Sequence, residues 1–296
     1  MIESVQIHSE IEIDWTILCL SEKTKEYLSE ICKPNWKLVG VDDIEDPEYS
    51  LLKNIRPWRE FCWTAASVTL NYLSRHTSSE FLGYIDADCF FFHSIDTLVH
   101  EIGNSSILIF RHNFSSDRIY SLKSSGEFNV GVILGKSDTF FSDCIRDWRN
   151  KVISECVLDP ENRKCGDQTY LNDWPKLHSG VNISENKEAC VGPWNLNNYR
   201  RFTKSKSLLD GKPLIFYHFH GLKFISLSTV YCICLSAPGY AIKTENYKSI
   251  YTHYIKVLIR TKRQNNFLNP RKYSLVSSLR TIKRNLDSFL FRVSIS

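Results

Sequence analysis

The 296-residue chain carries 37 basic and 33 acidic side chains for a net charge of +4, with 43% hydrophobic and 24% charged residues; its 12 glycines and 9 prolines are too few for a collagen-like or low-complexity protein. No apolar stretch reaches the roughly 18 to 20 residues of a membrane-spanning helix, and the start, Met1-Ile2-Glu3-Ser4, lacks the basic and apolar regions of a secretory signal. The ten cysteines are scattered through apolar runs without a C-x-x-C pair, so the expectation is a reducing, cytoplasmic setting with thiols packed as small hydrophobes.

In chain order, Trp15 to Leu20 reads as a buried strand, followed by a polar helix near Glu22 to Ile31 and a second strand from Trp36 to Val41. Pro57 opens a helix through about Leu73 that places Phe61, Ala65, Val68 and Tyr72 on one face. Phe81 to Ile85 is a third strand and runs into Asp86-Ala87-Asp88; Ile107 to Phe110, Val130 to Leu134 and Phe216 to His220 are further strands. This alternation argues an open, largely parallel α/β sheet with helices on both faces, and ligands on such sheets sit beyond the carboxyl ends of the strands.

The chain divides by charge. From Lys256 onward there are ten basic residues and a single acid, Asp287, so residues 1–255 are net acidic. The expected organisation is a body over 1–240 and a basic helical extension over 241–296. Val276, Leu279, Ile282, Leu286, Phe289 and Val293 follow helical spacing there. A basic amphipathic helix can lie on an anionic membrane surface or pack on the body, which suggests a peripheral membrane location. Nucleic acid is not an expected partner, because the body is acidic and no recognition motif is present.

Asp86 and Asp88 stand out chemically. On an extended backbone they face the same way, about 6 to 7 Å apart, and at an effective dielectric near 20 they repel by about 2 to 3 kcal/mol. A divalent cation resolves the conflict, and Mg²⁺ or Mn²⁺ suits carboxylate oxygen. The pair His218 and His220, followed by Gly221 and Lys223, offers a neutral imidazole to complete such a site, His218 being slightly favoured, and an ammonium for a phosphate oxygen.

The motif Tyr84-Ile85-Asp86-Ala87-Asp88, together with Arg59 to Thr64, Gly126-Glu127-Phe128-Asn129-Val130-Gly131, Gly166-Asp167-Gln168 through Trp174-Pro175, and His218 to Lys223, resembles GT-A glycosyltransferases, especially glycosyltransferase family 8. The resemblance spans residues 59 to 223 and implies a GT-A-like open mixed sheet flanked by helices. It implies a nucleotide-diphosphate sugar donor, UDP-sugar favoured, a Mn²⁺ or Mg²⁺ ion held by Asp86, Asp88 and His218, and hexosyl transfer with retention to a glycan or lipid-linked hydroxyl. Arg59, Thr64, Asp86, Ala87, Asp88, Gly131, Gly221 and Lys223 would then hold the donor, and Asn129, Asp167 and Gln168 would serve the reacting face. Asp167 also suits a helix N-cap. One departure is evident: Met1 to His8 reads as the family's first helix, so its first strand, with the grip on the nucleotide base, is missing, through a misassigned or truncated start or a genuine loss. A non-catalytic nucleotide-sugar or glycan binder is the alternative; a sugar-phosphate nucleotidyltransferase would need a glycine-rich basic loop that the sequence lacks.

Overall fold

A computed structural model describes the backbone of residues 1–227, 230–235, 246–265 and 290–294, and the side chains of 1–222 and 248–261. The elements used below are α1 (Ile2–His8), β1 (Trp15–Cys19), α2 (Glu22–Ser29), β2 (Trp36–Gly40), α3 (Trp58–His76), β3 (Phe81–Ile85), β4 (Cys89–Phe91), α4 (Asp96–Ile102), β5 (Ile107–Arg111), β6 (Phe128–Lys136), α5 (Thr139–Ser154), β7 (Val181–Ile183), β8 (Phe216–His218), β9 (Leu222–Leu227), β10 (Val230–Leu235), α6 (Asn246–Asn265) and β11 (Leu290–Ser294).

The architecture is mixed α/β. The main sheet has the order β3-β6-β5-β7; β6 runs antiparallel to both its neighbours and β5 runs parallel to β7. The largely parallel sheet argued from alternation is therefore corrected to a mixed one. Residues 112–127 connect β5 to β6 without a long helix over the sheet, and antiparallel neighbours need no crossover.

Each face of this sheet is covered. Ile107 and Ile109 of β5 face Ala66 and Leu70 of α3 and Phe141, Ile145 and Trp148 of α5. Leu108 and Phe110, one residue out of phase, join Val5 of α1, Leu98 and Ile102 of α4, and Phe91 and Phe216. The alternation of β5 thus sorts its residues between two cores. In β6 it breaks: Phe128 and Val130 lie in the first core, Val132 and Leu134 in the second. The β5 register shifts there, Leu108 opposing Leu134 while Phe110 opposes Asn129. A β-bulge therefore sits around Gly131, and bulges of this kind re-aim side chains at strand ends.

Two smaller sheets flank the main one. β1 and β2 pair in parallel and pack against the far side of α3 through Leu18, Val39, Phe61, Ala65 and Val68. β4 pairs antiparallel with β8, setting His218 opposite Cys89. This pairing joins segments more than 120 residues apart in sequence.

At the C-terminal end, β9 and β10 pair antiparallel, and α6 opens the basic extension as a helix. The helix expected across Val276 to Val293 is corrected at its end: residues 290–294 form β11, antiparallel to β10, with Val293 opposite Tyr231. Leu290-Phe291-Arg292-Val293 can satisfy its backbone on the open edge of β10, which a helix there could not use. The remainder of that expectation, Val276 to Phe289, lies outside the described residues. Among the described residues no helix is long and apolar enough to cross a membrane.

Candidate functional site

Where β3 ends, the chain makes a tight turn into β4. The Asp86 N–H donates to Gly131 O at 2.8 Å, and the Cys89 N–H donates back to Asp86 O at 3.0 Å. The turn lifts both carboxylates off the sheet, with Tyr84 Oη donating to Asp86 Oδ1 at 2.7 Å. From the β8 side, Phe219 N–H donates to Asp88 O at 2.9 Å, and His218 N–H to Val191 O at 2.8 Å. These bonds place His218 Nε2 3.0 Å from Asp88 Oδ1 and 3.6 Å from Asp86 Oδ2. Asp86, Asp88 and His218, expected from sequence to share an ion, do come together.

A buried chain of polar groups orients the histidine. His112 Nδ1 lies 3.1 Å from Gly126 O, and its Nε2 lies 3.3 Å from Asn129 Nδ2. Asn129 Oδ1 accepts from the Gly131 N–H at 2.9 Å and lies 3.3 Å from His218 Nδ1. One proton arrangement satisfies the series: His112 Nδ1–H donates to the carbonyl, Asn129 Nδ2 donates to His112 Nε2, and His218 Nδ1–H donates to Asn129 Oδ1. His218 Nε2 is then the atom turned toward the carboxylates, an outer-shell arrangement familiar from metal-binding histidines.

The electrostatics agree. Burial pushes His112 down to about 3, so it stays neutral. Burial also pulls on His218, but the charge and hydrogen bond of Asp88 and the charge of Asp86 outweigh it and lift the imidazole to about 9. Burial raises Asp86, with the His218 charge opposing and Asp88 adding. At Asp88 the upward push of burial is outweighed by the charge and hydrogen bond of His218, so that carboxyl is lowered. Burial, followed by the charge of Asp86, holds Asp167 well above the carboxylate range.

Ligand atoms of Asp88, Cys89 and His218 also lie within 4.8 Å of one another. Burial, with Asp88 and Asp86 adding, keeps the Cys89 thiol protonated, and it donates to Gly131 O at 3.6 Å. The carboxylate and imidazole donors are the ones available, and that set fits Mg²⁺ or Mn²⁺ better than a thiophilic ion.

The carboxylates open into a cavity of about 1860 Å³ whose lining includes Ala87, Asn129, Gly131, Asp167, Gln168, His220 and Gly221. Arg59 lines it as well, its guanidinium 5.9 Å from the centre of the Trp63 ring. Gln168 is anchored by donating to Ser125 O at 2.7 Å. Asp167 lies within the 3-10 helix Gly166–Asp173, whose cap position is Cys165, so the N-cap reading is not the one adopted.

Two expectations are qualified, and a third lies outside the described residues. Thr64 is not at the cavity: it is fully buried, donates to Glu60 O at 2.8 Å and accepts from Arg56 Nη1 at 2.7 Å, because the helix turns it inward from Arg59. Asn129, expected at the reacting face, lines the cavity with its amide engaged by His112, Gly131 and His218. The Lys223 side chain lies outside the described residues. Sequence reasoning missed His112 and Tyr84; Tyr84 had a signal, standing two residues before Asp86 on the same strand face.

At Gly131, expected among the residues that hold the donor, the protein's own groups fill the space over the backbone. A Cβ there would lie 2.4 Å from His218 Nδ1 and 2.7 Å from Asn129 Oδ1. Gly131→Ala is expected to push the imidazole off its Asn129 partner and weaken Mn²⁺ binding by about 10- to 100-fold. Calorimetric titration with Mn²⁺ checks this; an unchanged affinity would detach Gly131 from the site.

No protein-family model matches the sequence. Among solved structures, similarity extends to a glycosyltransferase involved in glycosylation of the major capsid of PBCV-1, with TM-score 0.41 and 16% identity, covering 71% of this chain and 94% of that one. It also extends to the glycosyltransferase GlyE of Streptococcus pneumoniae TIGR4, with TM-score 0.38 and 18% identity, covering 62% of this chain and 40% of that one. In sequence, the chain is 29% identical to YfnD of Bacillus subtilis (strain 168) over 265 residues, covering 88% of this chain and 84% of YfnD. It is 30% identical to YfnF of the same organism over 223 residues, covering 72% of this chain and 74% of YfnF. With that identity sustained over nearly three quarters of both chains, the protein belongs to one family with YfnF.

Proposed function

We propose that this protein is a metal-dependent glycosyltransferase of GT-A type that moves a sugar from a nucleotide-diphosphate donor, a UDP-sugar in first place, to a hydroxyl of a glycan or lipid-linked acceptor. One observation carries the reading: Asp86, Asp88 and His218 converge at the mouth of a cavity of about 1860 Å³, with His218 oriented from behind by Asn129. A divalent cation held by these three residues would neutralise charge on the departing nucleotide diphosphate.

The chain's own residues supply the rest. Arg59, stacked on Trp63 at the cavity wall, offers a fixed fork of donors for phosphate oxygens. Asp167, kept protonated by burial and by Asp86, can both donate to and accept from a sugar hydroxyl. Gln168, pinned by Ser125, presents a neutral amide at the reacting face. Ile119, Tyr120 and Leu122 stand exposed a few residues before Ser125, and give an acceptor with an apolar portion a place to rest.

The test is a thermal-shift screen of UDP- and GDP-sugars with and without Mn²⁺. A donor at one hundred times its Kd contributes about 2.7 kcal/mol, which for a chain of this size is a rise of about 4 °C. The rise is expected with one nucleotide sugar plus Mn²⁺ and not with chelator. Equal melting temperatures across the whole panel would count against donor binding.

A further inference from the structure

On the body, Lys25 meets Asp43, Arg111 meets Glu127 and Lys164 meets Glu155. Two segments depart from this pattern, and the fold sets them side by side. Residues 200–213 form a hairpin in which Phe202 and Thr203 pair with Leu209 and Leu208; they carry Arg200, Arg201, Lys204, Lys206 and Lys212 against one acid, Asp210. Asp210 turns its carboxylate to its own hairpin, accepting from the N–H groups of Arg200 at 3.1 Å and Arg201 at 2.8 Å. Over 248–261, α6 carries Lys248, Lys256 and Arg260 and no acid. Arg200, Arg201, Lys204, Lys206, Lys256 and Arg260 are all exposed, and among the described residues none of them forms an ion pair.

Packing joins the two segments into one surface. Tyr199 and Leu209 share a core with Tyr251, Tyr254 and Ile255 of α6. Phe202 of the hairpin and His253 of α6 meet the same Phe92 ring, at 6.2 and 5.7 Å between centres. Partial burial, then the charges of Lys204 and Lys256, lower the His253 imidazole, as a cationic surface built from both segments requires. α6 also ties this surface to the cavity. His253, Lys256 and Arg260 are exposed at spacings of three and four, which makes one stripe along the helix. Tyr254, Val257 and Thr261, each one residue further on, line the cavity together with Leu258. Neighbouring faces of a single helix thus carry the cationic stripe and a wall of the cavity. Tyr254 brings that wall to the carboxylates: its ring stacks on Phe219 at 3.8 Å, and the Phe219 N–H donates to Asp88 O.

The chemistry of the surface selects its occupant. A helix that enters a bilayer surface presents bulky apolar side chains on its outer side. Among the described residues from 195 to 261 no large hydrophobic side chain is exposed; such side chains stand elsewhere, at Leu51, Ile55 and Trp58 and from Ile119 to Leu122. Between the cations stand polar residues, exposed Asn198 and Ser205 and half-buried Thr252. Like charges gathered without acids repel one another and gain from an anionic partner, and a polar surface of this kind complements a hydrated one. We propose that the acceptor is an anionic glycan that lies across the face formed by residues 200–206 and α6 and enters the cavity beside Tyr254. That it is the acceptor rests on the glycosyltransferase reading; that it is anionic rests on this face.

The test titrates the full chain with fluorescently labelled oligogalacturonate, which carries carboxylates, and phosphomannan, which carries phosphates, with neutral dextran as reference and phosphatidylglycerol vesicles as a separate arm. No sugar donor or metal enters the titration, so its failure and a failed donor screen are separate results. At least one anionic glycan is expected to bind tenfold or more tightly than dextran. Lys204→Glu/Lys256→Glu/Arg260→Glu is expected to lose that advantage. Lys23→Glu/Lys53→Glu/Lys123→Glu, an equal change of charge at exposed positions elsewhere, is expected to keep it within about twofold. Hydrogen exchange with the glycan bound is expected to slow both at 200–206 and at 218–221, where the chain borders the cavity. Equal affinity for dextran, a triple variant at 204, 256 and 260 that binds like the wild type, or binding to vesicles alone overturns the proposal. Protection confined to 200–206 would mark an adventitious attraction of charge and overturn it as well.

Discussion

Asp86→Asn and Asp88→Asn are each expected to lower sugar transfer by about 10²- to 10³-fold, the usual cost of losing a group that stabilises developing charge, while shifting the stability of the metal-free protein in opposite directions. Burial raises the Asp86 carboxyl, so its ionised form costs stability at neutral pH, and the cost fades as the pH falls toward the unfolded value. Asparagine removes that cost, and the metal-free Asp86→Asn protein is expected to melt higher at pH 7.5. The Asp88 carboxyl is lowered, by the charge and hydrogen bond of His218 against the push of burial. It contributes stability above its unfolded pKa that is lost as the pH falls through its folded one. Asp88→Asn forfeits that contribution at pH 7.5 and leaves His218 without the partner 3.0 Å away, so it is expected to melt lower. A shared loss of transfer with opposed shifts in melting temperature separates a functional pair from a structural one. Full turnover in either variant, or wild-type turnover in chelator, would remove the metal from the reaction.

The sequence made the two aspartates legible because the conflict is local: two acids within one apolar run need a reason. It made the strands and α3 legible for the same cause, since their periodicity lies within each segment. His218 was visible only through its neighbours, His220, Gly221 and Lys223, because its approach to Asp88 depends on the pairing of β4 with β8. His112 gave no signal at all; a lone histidine after an apolar strand takes its meaning from Gly126 and Asn129, which the β5–β6 bulge brings to it. At Gly131 the group that approaches the backbone is the His218 ring, which sequence could not show. At the end of the chain the helical spacing of Val276 to Val293 misled over 290–294, where the open edge of β10 offers backbone partners that local periodicity cannot report.

Mn²⁺ affinity is expected to rise by about tenfold per pH unit between pH 6.5 and 8.5, roughly 100-fold in all. Among the described residues His218 Nε2 is the nitrogen turned toward both carboxylates, and without metal its imidazole holds a proton up to about pH 9. An ion can use that nitrogen only after the proton leaves, and each pH unit below the folded pKa adds one factor of ten to the competition. The stability of the metal-free protein runs the other way. A histidine whose pKa is raised on folding contributes stability that is complete below its unfolded value near 6.5 and is lost as the pH climbs through about 9. Rising pH therefore loosens the empty site while it tightens the loaded one, so the melting-temperature gain from a fixed Mn²⁺ concentration is expected to be larger at pH 8.5 than at 6.5. Calorimetry in two buffers of different ionisation heat should also record the release of close to one proton per ion at pH 7.5. His218→Gln, which keeps a polar side chain but has no proton to yield, is expected to bind more weakly and with a flat profile over this range. A wild-type affinity that does not change with pH would mean that His218 keeps its proton and stays out of the metal site.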